Sequence, residues 1–106
     1  MNDGGPESKV KVEVFKSLSQ PTRLAILDLL QSGERSVGQI VEATGRSHNL
    51  VSQSLGRLRK HGLVRVRKHG RYAIYSLASP RIVRLLELAD ELMVDIARDN
   101  YRLLSP

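Results

Sequence analysis

The chain has 106 residues, 41% apolar but only 4% aromatic, which bounds it to one small domain with an aliphatic core and favours helices over a sheet sandwich. It has no cysteine, which excludes disulfides, thiolate metal sites and cysteine nucleophiles, and no apolar run long enough for a membrane span. The net charge is +6 and unevenly spread: Ala43 to Leu86 holds ten Arg or Lys, all three His and no Asp or Glu, while the remainder holds seven basic and eleven acidic residues.

A surface that only needs to be soluble mixes signs, so an acid-free stretch of this length points to a polyanionic partner. The opening MNDGGPESK lacks the apolar segment of a secretion signal, and a cytoplasmic location is the expectation.

Residues 1–8 are polar, carry Gly4, Gly5 and Pro6, and read as a disordered arm ahead of a domain over residues 9–98, with residues 99–106 as a C-terminal tail. Lys9 to Leu18 is ambiguous, because Val10, Val12 and Val14 alternate as in a strand while Val14, Phe15 and Leu18 suit a helix. Pro21 opens a second helix at a position where its missing N–H is not needed, and Leu24, Ile26, Leu27 and Leu30 form its apolar stripe up to Ser32-Gly33.

Ser36 and Gln39 have the spacing of a capping box at the head of a third helix, whose Val37, Ile40, Val41 and Ala43 are expected to face inward. Gly45 is placed to end it in the left-handed conformation, and only Arg46 separates Gly45 from Ser47, the natural N-cap of the next helix. Two helices joined by so short a turn cannot run side by side, which is the spacing of a helix-turn-helix.

In that fourth helix Val51, Leu55 and Leu58 turn inward, leaving His48, Asn49, Ser52, Gln53, Gly56, Arg59 and Lys60 outside. Donors, acceptors and cations without acids suit the major groove of duplex DNA, where Asn or Gln bonds an adenine edge and Arg prefers guanine or phosphate. Gly56 costs such a helix about 1 kcal/mol relative to Ala, which is explained if a DNA backbone or neighbouring helix approaches closely, or is simply a tolerated defect.

After Gly62, Val64 and Val66 alternate with Arg65 and Arg67, and Ala73, Tyr75 and Leu77 continue the period of two beyond a Lys68-His69-Gly70-Arg71 turn. The prediction is a β-hairpin with a cationic tip, and a helix-turn-helix followed by such a hairpin is a winged helix. Lys68, His69 and Arg71 are placed to reach flanking phosphates or a minor groove. Pro80 starts a last helix in which Ile82, Leu85, Leu86, Ala89, Leu92, Met93 and Ile96 form one broad stripe, with Val83, Leu88 and Val94 expected off it. This is more apolar surface than so small a domain can cover, and a homodimer through this helix and Lys9 to Leu18 follows, presenting two recognition helices to an inverted repeat.

The segments LSQPTRLAILDLL, SVGQIVEATGRSHNLVSQSLGRLRKHGLV and RYAIYSL, taken in order, resemble the ArsR/SmtB family of small winged-helix repressors over roughly Val14 to Met93. The resemblance implies a mostly α fold with a small β-hairpin, dimerised through its first and last helices, and so makes Lys9 to Leu18 a helix. It implies that Ser47, His48, Asn49, Ser52, Gln53 and Ser54 face the operator. The chain's own cations add Arg46, Arg57, Lys60, Lys68 and Arg71 to the DNA-binding set, and the interface set is Val14, Phe15, Leu18, Ile82, Leu85, Leu86, Ala89, Leu92, Met93 and Ile96.

Departures from the family pattern bear on effectors. Members that sense soft metals carry cysteines in the helix before the recognition helix, where this chain has Ser36-Val37-Gly38-Gln39-Ile40. Members that sense zinc, cobalt or nickel through the last helix use His with Asp or Glu there, where this chain has Glu87, Asp90, Glu91, Asp95 and Asp99 but no His; these carboxylates leave room for a harder, oxygen-preferring ion but are better read as a solvated face. A divalent ion such as nickel or zinc is then left to His48, His61 and His69, which lack ligands at metal spacing and are more economically polar contacts to nucleic acid. No catalytic constellation is present, so an enzyme is excluded. The competing readings are a winged-helix module for protein or RNA, and a nucleoid-type protein that binds DNA without sequence preference.

Overall fold

The computed structural model describes the backbone of residues 5–104 and the side chains of residues 5–100. Its elements run α1 (Pro6–Ser19), α2 (Pro21–Leu30), β1 (Arg35–Ser36), α3 (Val37–Thr44), α4 (His48–Lys60), β2 (Val64–His69), β3 (Tyr72–Leu77) and α5 (Pro80–Leu104).

Lys9 to Leu18 lies within helix α1, which starts at Pro6, three residues before the expected boundary. The alternating valines therefore mark no strand: Ser17 is buried, and Val14 and Leu18 pack on the core while Val10 and Val12 stay exposed. The expected disordered arm over residues 1–8 is thereby corrected at 6–8, and residues 1–4 of it lie outside the described residues. Pro21 forbids α geometry at the residue before it, so Gln20 is extended and breaks α1 from α2. Gln20 also caps α2, its Oε1 accepting the Arg23 N–H at 2.8 Å, while the Arg23 guanidinium donates to the Lys16 carbonyl at 3.1 Å at the end of α1.

The capping box is present at α3, with the Gln39 N–H donating to Ser36 Oγ at 3.2 Å and the Ser36 N–H to Gln39 Oε1 at 2.9 Å. Gly45 stops α3 at φ 68°, and Ser47 Oγ accepts the Leu50 N–H to start α4. At the far end of α4, Gly62 has φ 77°, its N–H donates to the Arg59 carbonyl, and the Leu63 N–H reaches back to the Leu58 carbonyl. This is a Schellman stop, and it turns the chain directly into the wing.

The sheet has order β1-β3-β2, all antiparallel. Its third strand, β1, is only two residues long and was not expected; it pairs Arg35 with Tyr75 and Ser36 with Ile74. The wing turn is tighter than the expected Lys68 to Arg71, since β2 continues to His69 and β3 starts at Tyr72. Gly70 has φ 63° and no non-glycine residue has positive φ among the described residues, the pattern of a type II′ turn.

Ile26, Leu27 and Leu30 of α2, Ile40 of α3, Val51, Leu55 and Leu58 of α4, and Leu63, Val64 and Leu86 beyond them form the core. Leu24 and Ala43, expected inside, are exposed, because the buried arcs of these short helices are narrower than their apolar content. Helix α5 runs to Leu104, so the expected tail over residues 99–106 is helical as far as it is described.

Candidate nucleic-acid interface

Helix α4 is built to be read from outside. Its inner side is anchored by three fully buried residues, Val51, Leu55 and Leu58, which fixes its rotation about its own axis. The opposite side then exposes His48, Asn49, Ser52, Gln53, Gly56, Arg59 and Lys60, as the sequence predicts, and Arg57 with them. Arg46 is half-buried in the α3–α4 turn, its N–H directed at Thr44 Oγ1. Ser47 keeps one oxygen on the Leu50 N–H as the cap and has its hydroxyl proton left to donate. His48 Nδ1 lies 3.4 Å from Ser52 Oγ one turn later, so the ring's Nε2 edge is the one directed away from the helix.

Ser54 departs from expectation. It is 6% exposed and lies between Val51 and Leu58 on the inner side of α4, so its side chain is not placed to read a base edge. An unexpected neighbour lies beside Gln53 and Arg57: an open groove of about 310 Å³ between α2 and α4, lined by Gln20, Arg23, Leu50, Gln53, Ser54 and Arg57.

The wing adds cations on an exposed hairpin. Lys68 and His69 lie at the end of β2, and Arg71 occupies the turn with its guanidinium 5.5 Å from the centre of the Tyr72 ring. Arg67 is committed elsewhere, donating to both carboxylate oxygens of Glu34. That hydrogen bond, together with the positive charge of Arg67 and His69, holds the Glu34 carboxyl below its ordinary value. Asp28 is shifted the other way, by partial burial and then by repulsion from Asp90. A second pair between distant segments joins α1 to the C-cap of α4: His61 Nε2 lies 3.6 Å from Glu13 Oε2. Neither Glu34 nor Glu13 carried a signal that sequence reading could use, since both partners are remote along the chain.

The expected interface residues divide in two. Leu86, 2% exposed, belongs to the protomer's own core, and Val14, Leu18 and Ile82 pack against that core. Only the start of α5 meets the domain, and Leu86 is on the side that does; the stripe farther along faces elsewhere. Phe15, Leu92, Met93 and Ile96 are more than half exposed, and Ala89 is exposed too. Leu88, expected off the stripe, joins Phe15, Leu85, Ala89 and Leu92 in lining one apolar groove of about 480 Å³. From Glu87 to Asn100 every residue of α5 is exposed. No helix among the described residues is long and apolar enough to cross a membrane, and no three His, Asp or Glu side chains among them converge as metal ligands.

Helices α2 to α4, the two-residue β1 and the β2–β3 hairpin, with the acid-free α4 exposed beside a cationic wing, form a winged helix-turn-helix. Residues 20–66 match the model of the bacterial regulatory protein, arsR family. The chain is 39% identical over 100 residues to the HTH-type transcriptional regulator Rv0081 of Mycobacterium tuberculosis, covering 93% of this chain and 88% of that protein. The crystal structure of Rv0081 superposes with a TM-score of 0.85 at 38% identity, covering 92% of this chain and 99% of that one. The homodimeric winged helix-turn-helix DNA-binding domain Mb0332 from Mycobacterium bovis gives 0.82 at 31% identity, covering 93% and 95%. HlyU from Vibrio cholerae gives 0.77 at 32% identity, covering 84% and 97%. The chain belongs to the ArsR family of transcriptional regulators.

Proposed function

We propose that the protein acts as a homodimer in the cytoplasm, binds an inverted-repeat operator in double-stranded DNA and represses transcription by occupying it. One observation carries the DNA half of this reading. The exposed face of α4 joins base-reading groups, Asn49, Ser52 and Gln53, to phosphate-gripping ones, Arg57 and Lys60, with no carboxylate on the helix. Lys68 and Arg71 extend the cationic surface along the wing.

The dimer half is supported by the exposed apolar residues of α1 and α5. A helix this exposed needs a partner, because helices gain most of their stability from packing one face. Burying Phe15, Leu88, Leu92 and Ile96 against a second copy would contribute about 1.5–3 kcal/mol for each fully covered side chain. The homodimeric relative Mb0332 supports the same arrangement. Two-fold symmetry then sets two copies of α4 against two half-sites about one helical turn apart.

Control by an effector is part of the proposal, with nickel or zinc as the divalent ions to test. The experiment is selection of bound duplexes from a random library, followed by footprinting of the selected site with and without each ion. An inverted repeat protected as two half-sites, and reduced run-off transcription from a promoter containing it, is expected. Enrichment of no sequence at all overturns operator recognition, and a footprint unchanged by either ion removes those ions as effectors.

A further inference from the structure

Gly56 lies inside α4, four residues from its end, although glycine is the poorest helix former after proline. Two ordinary reasons for a glycine fail here. Its φ is not positive, so the backbone does not demand it. A β-carbon built on it would meet nothing within 4 Å, so no neighbouring element of the chain demands it either. What remains is a tolerated helix defect or something outside the protomer that approaches this point of the helix.

Its place on the helix says what. Asn49, Gln53, Gly56 and Lys60 follow one another at i, i+4, i+7 and i+11, down the middle of the exposed face opposite Val51, Leu55 and Leu58. Asn49 and Gln53, toward the N-terminal end, are base-reading side chains, whereas Arg57 and Lys60 beyond Gly56 are phosphate-gripping ones. A recognition helix that enters the major groove by its N-terminal end meets the sugar–phosphate strand at the groove wall farther along, between those two sets.

We infer that Gly56 is a clearance residue, whose missing side chain lets one sugar–phosphate strand of duplex DNA lie directly against the backbone of α4. Resting on the DNA-binding reading above, this makes Gly56 set how deeply the helix seats in the groove, and so how well Asn49 and Gln53 reach the bases. Any side chain at this position holds the strand off by the thickness of a methyl group or more, while improving the helix itself.

Stability and affinity should therefore change in opposite directions. Gly56→Ala and Gly56→Leu, both better helix formers, are compared with the parent protein by thermal unfolding, size-exclusion chromatography and fluorescence anisotropy. The probe is an inverted-repeat duplex that the parent selects from a random library. The expected result is a Tm several degrees higher in both variants, an unchanged elution volume, and affinity lower by roughly tenfold for alanine and further for leucine. A lower Tm in Gly56→Ala, or affinities equal to the parent's, overturns the inference while leaving the DNA-binding reading intact. A parent protein that selects and binds no duplex overturns both.

Discussion

Arg67 and Glu34, 33 residues apart, are joined across the sheet: the guanidinium of Arg67 on β2 donates to both carboxylate oxygens of Glu34, which immediately precedes β1. Arg67 pairs with Ile74 and Ile74 with Ser36, so the bond reaches over the central strand and ties the wing to the segment that leads into α3. The carboxylate's folded pKa is depressed below the ordinary 4.5, so its stabilisation is present above that value and lost as pH falls through the depressed one. Thermal unfolding of Glu34→Gln and parent protein across acid pH should differ near neutrality and converge in that window. Curves that stay equally separated below it would show that the carboxylate's charge is not what matters.

Gln53 and Ser54 are neighbours in sequence and opposites in space, one exposed and one buried. Gln53→Ala is expected to cost about 1–3 kcal/mol on the selected operator and to relax specificity at one position in each half-site. Ser54→Ala is expected to leave base preference unchanged. Anisotropy titrations against single-base operator variants check both; a change of base preference on replacing Ser54 would reinstate it as a reading residue.

For Arg71 the expectation differs in kind. On the proposed reading this wing-tip cation grips phosphate rather than a base, so Arg71→Ala should weaken binding to all sequences alike and reduce the slope of log affinity against log salt by about one. A loss confined to one sequence would assign Arg71 to base or minor-groove readout.

Leu86 and Leu92 separate folding from assembly. Leu86→Ala removes a core side chain and should cost about 2–5 kcal/mol in denaturant unfolding. Leu92→Glu, on the exposed stripe, should leave the protomer folded by circular dichroism but shift it to a monomer in sedimentation velocity, with operator affinity reduced at least tenfold. A dimer that survives Leu92→Glu would place the interface elsewhere.

What the sequence made legible was local chemistry. Pro21, the Ser36/Gln39 box, Gly45, Ser47 and Gly62 each act within a few residues of themselves, and their helix boundaries follow from that. Packing between distant segments was not legible. The periodicity of the α1 valines alone reads equally as strand or helix; only the family resemblance made it a helix, and Val14 and Leu18 packing on the core give the physical reason. A two-residue strand such as β1 has no periodicity to detect, and Glu34–Arg67 and Glu13–His61 exist only because the fold brings their partners together. In α5 one apolar periodicity served two purposes, which is why Leu86 was grouped with the stripe and Leu88 was not.

On the proposed function, two protomers together lay their acid-free helices and wings on one stretch of duplex. Sedimentation velocity of the protein mixed with its selected inverted-repeat duplex, at salt from about 50 to about 200 mM, tests this most directly. The expected result is a complex of two protomers per duplex whose affinity falls steeply with salt. A lone subunit that leaves the duplex unbound even at the lowest salt would contradict it.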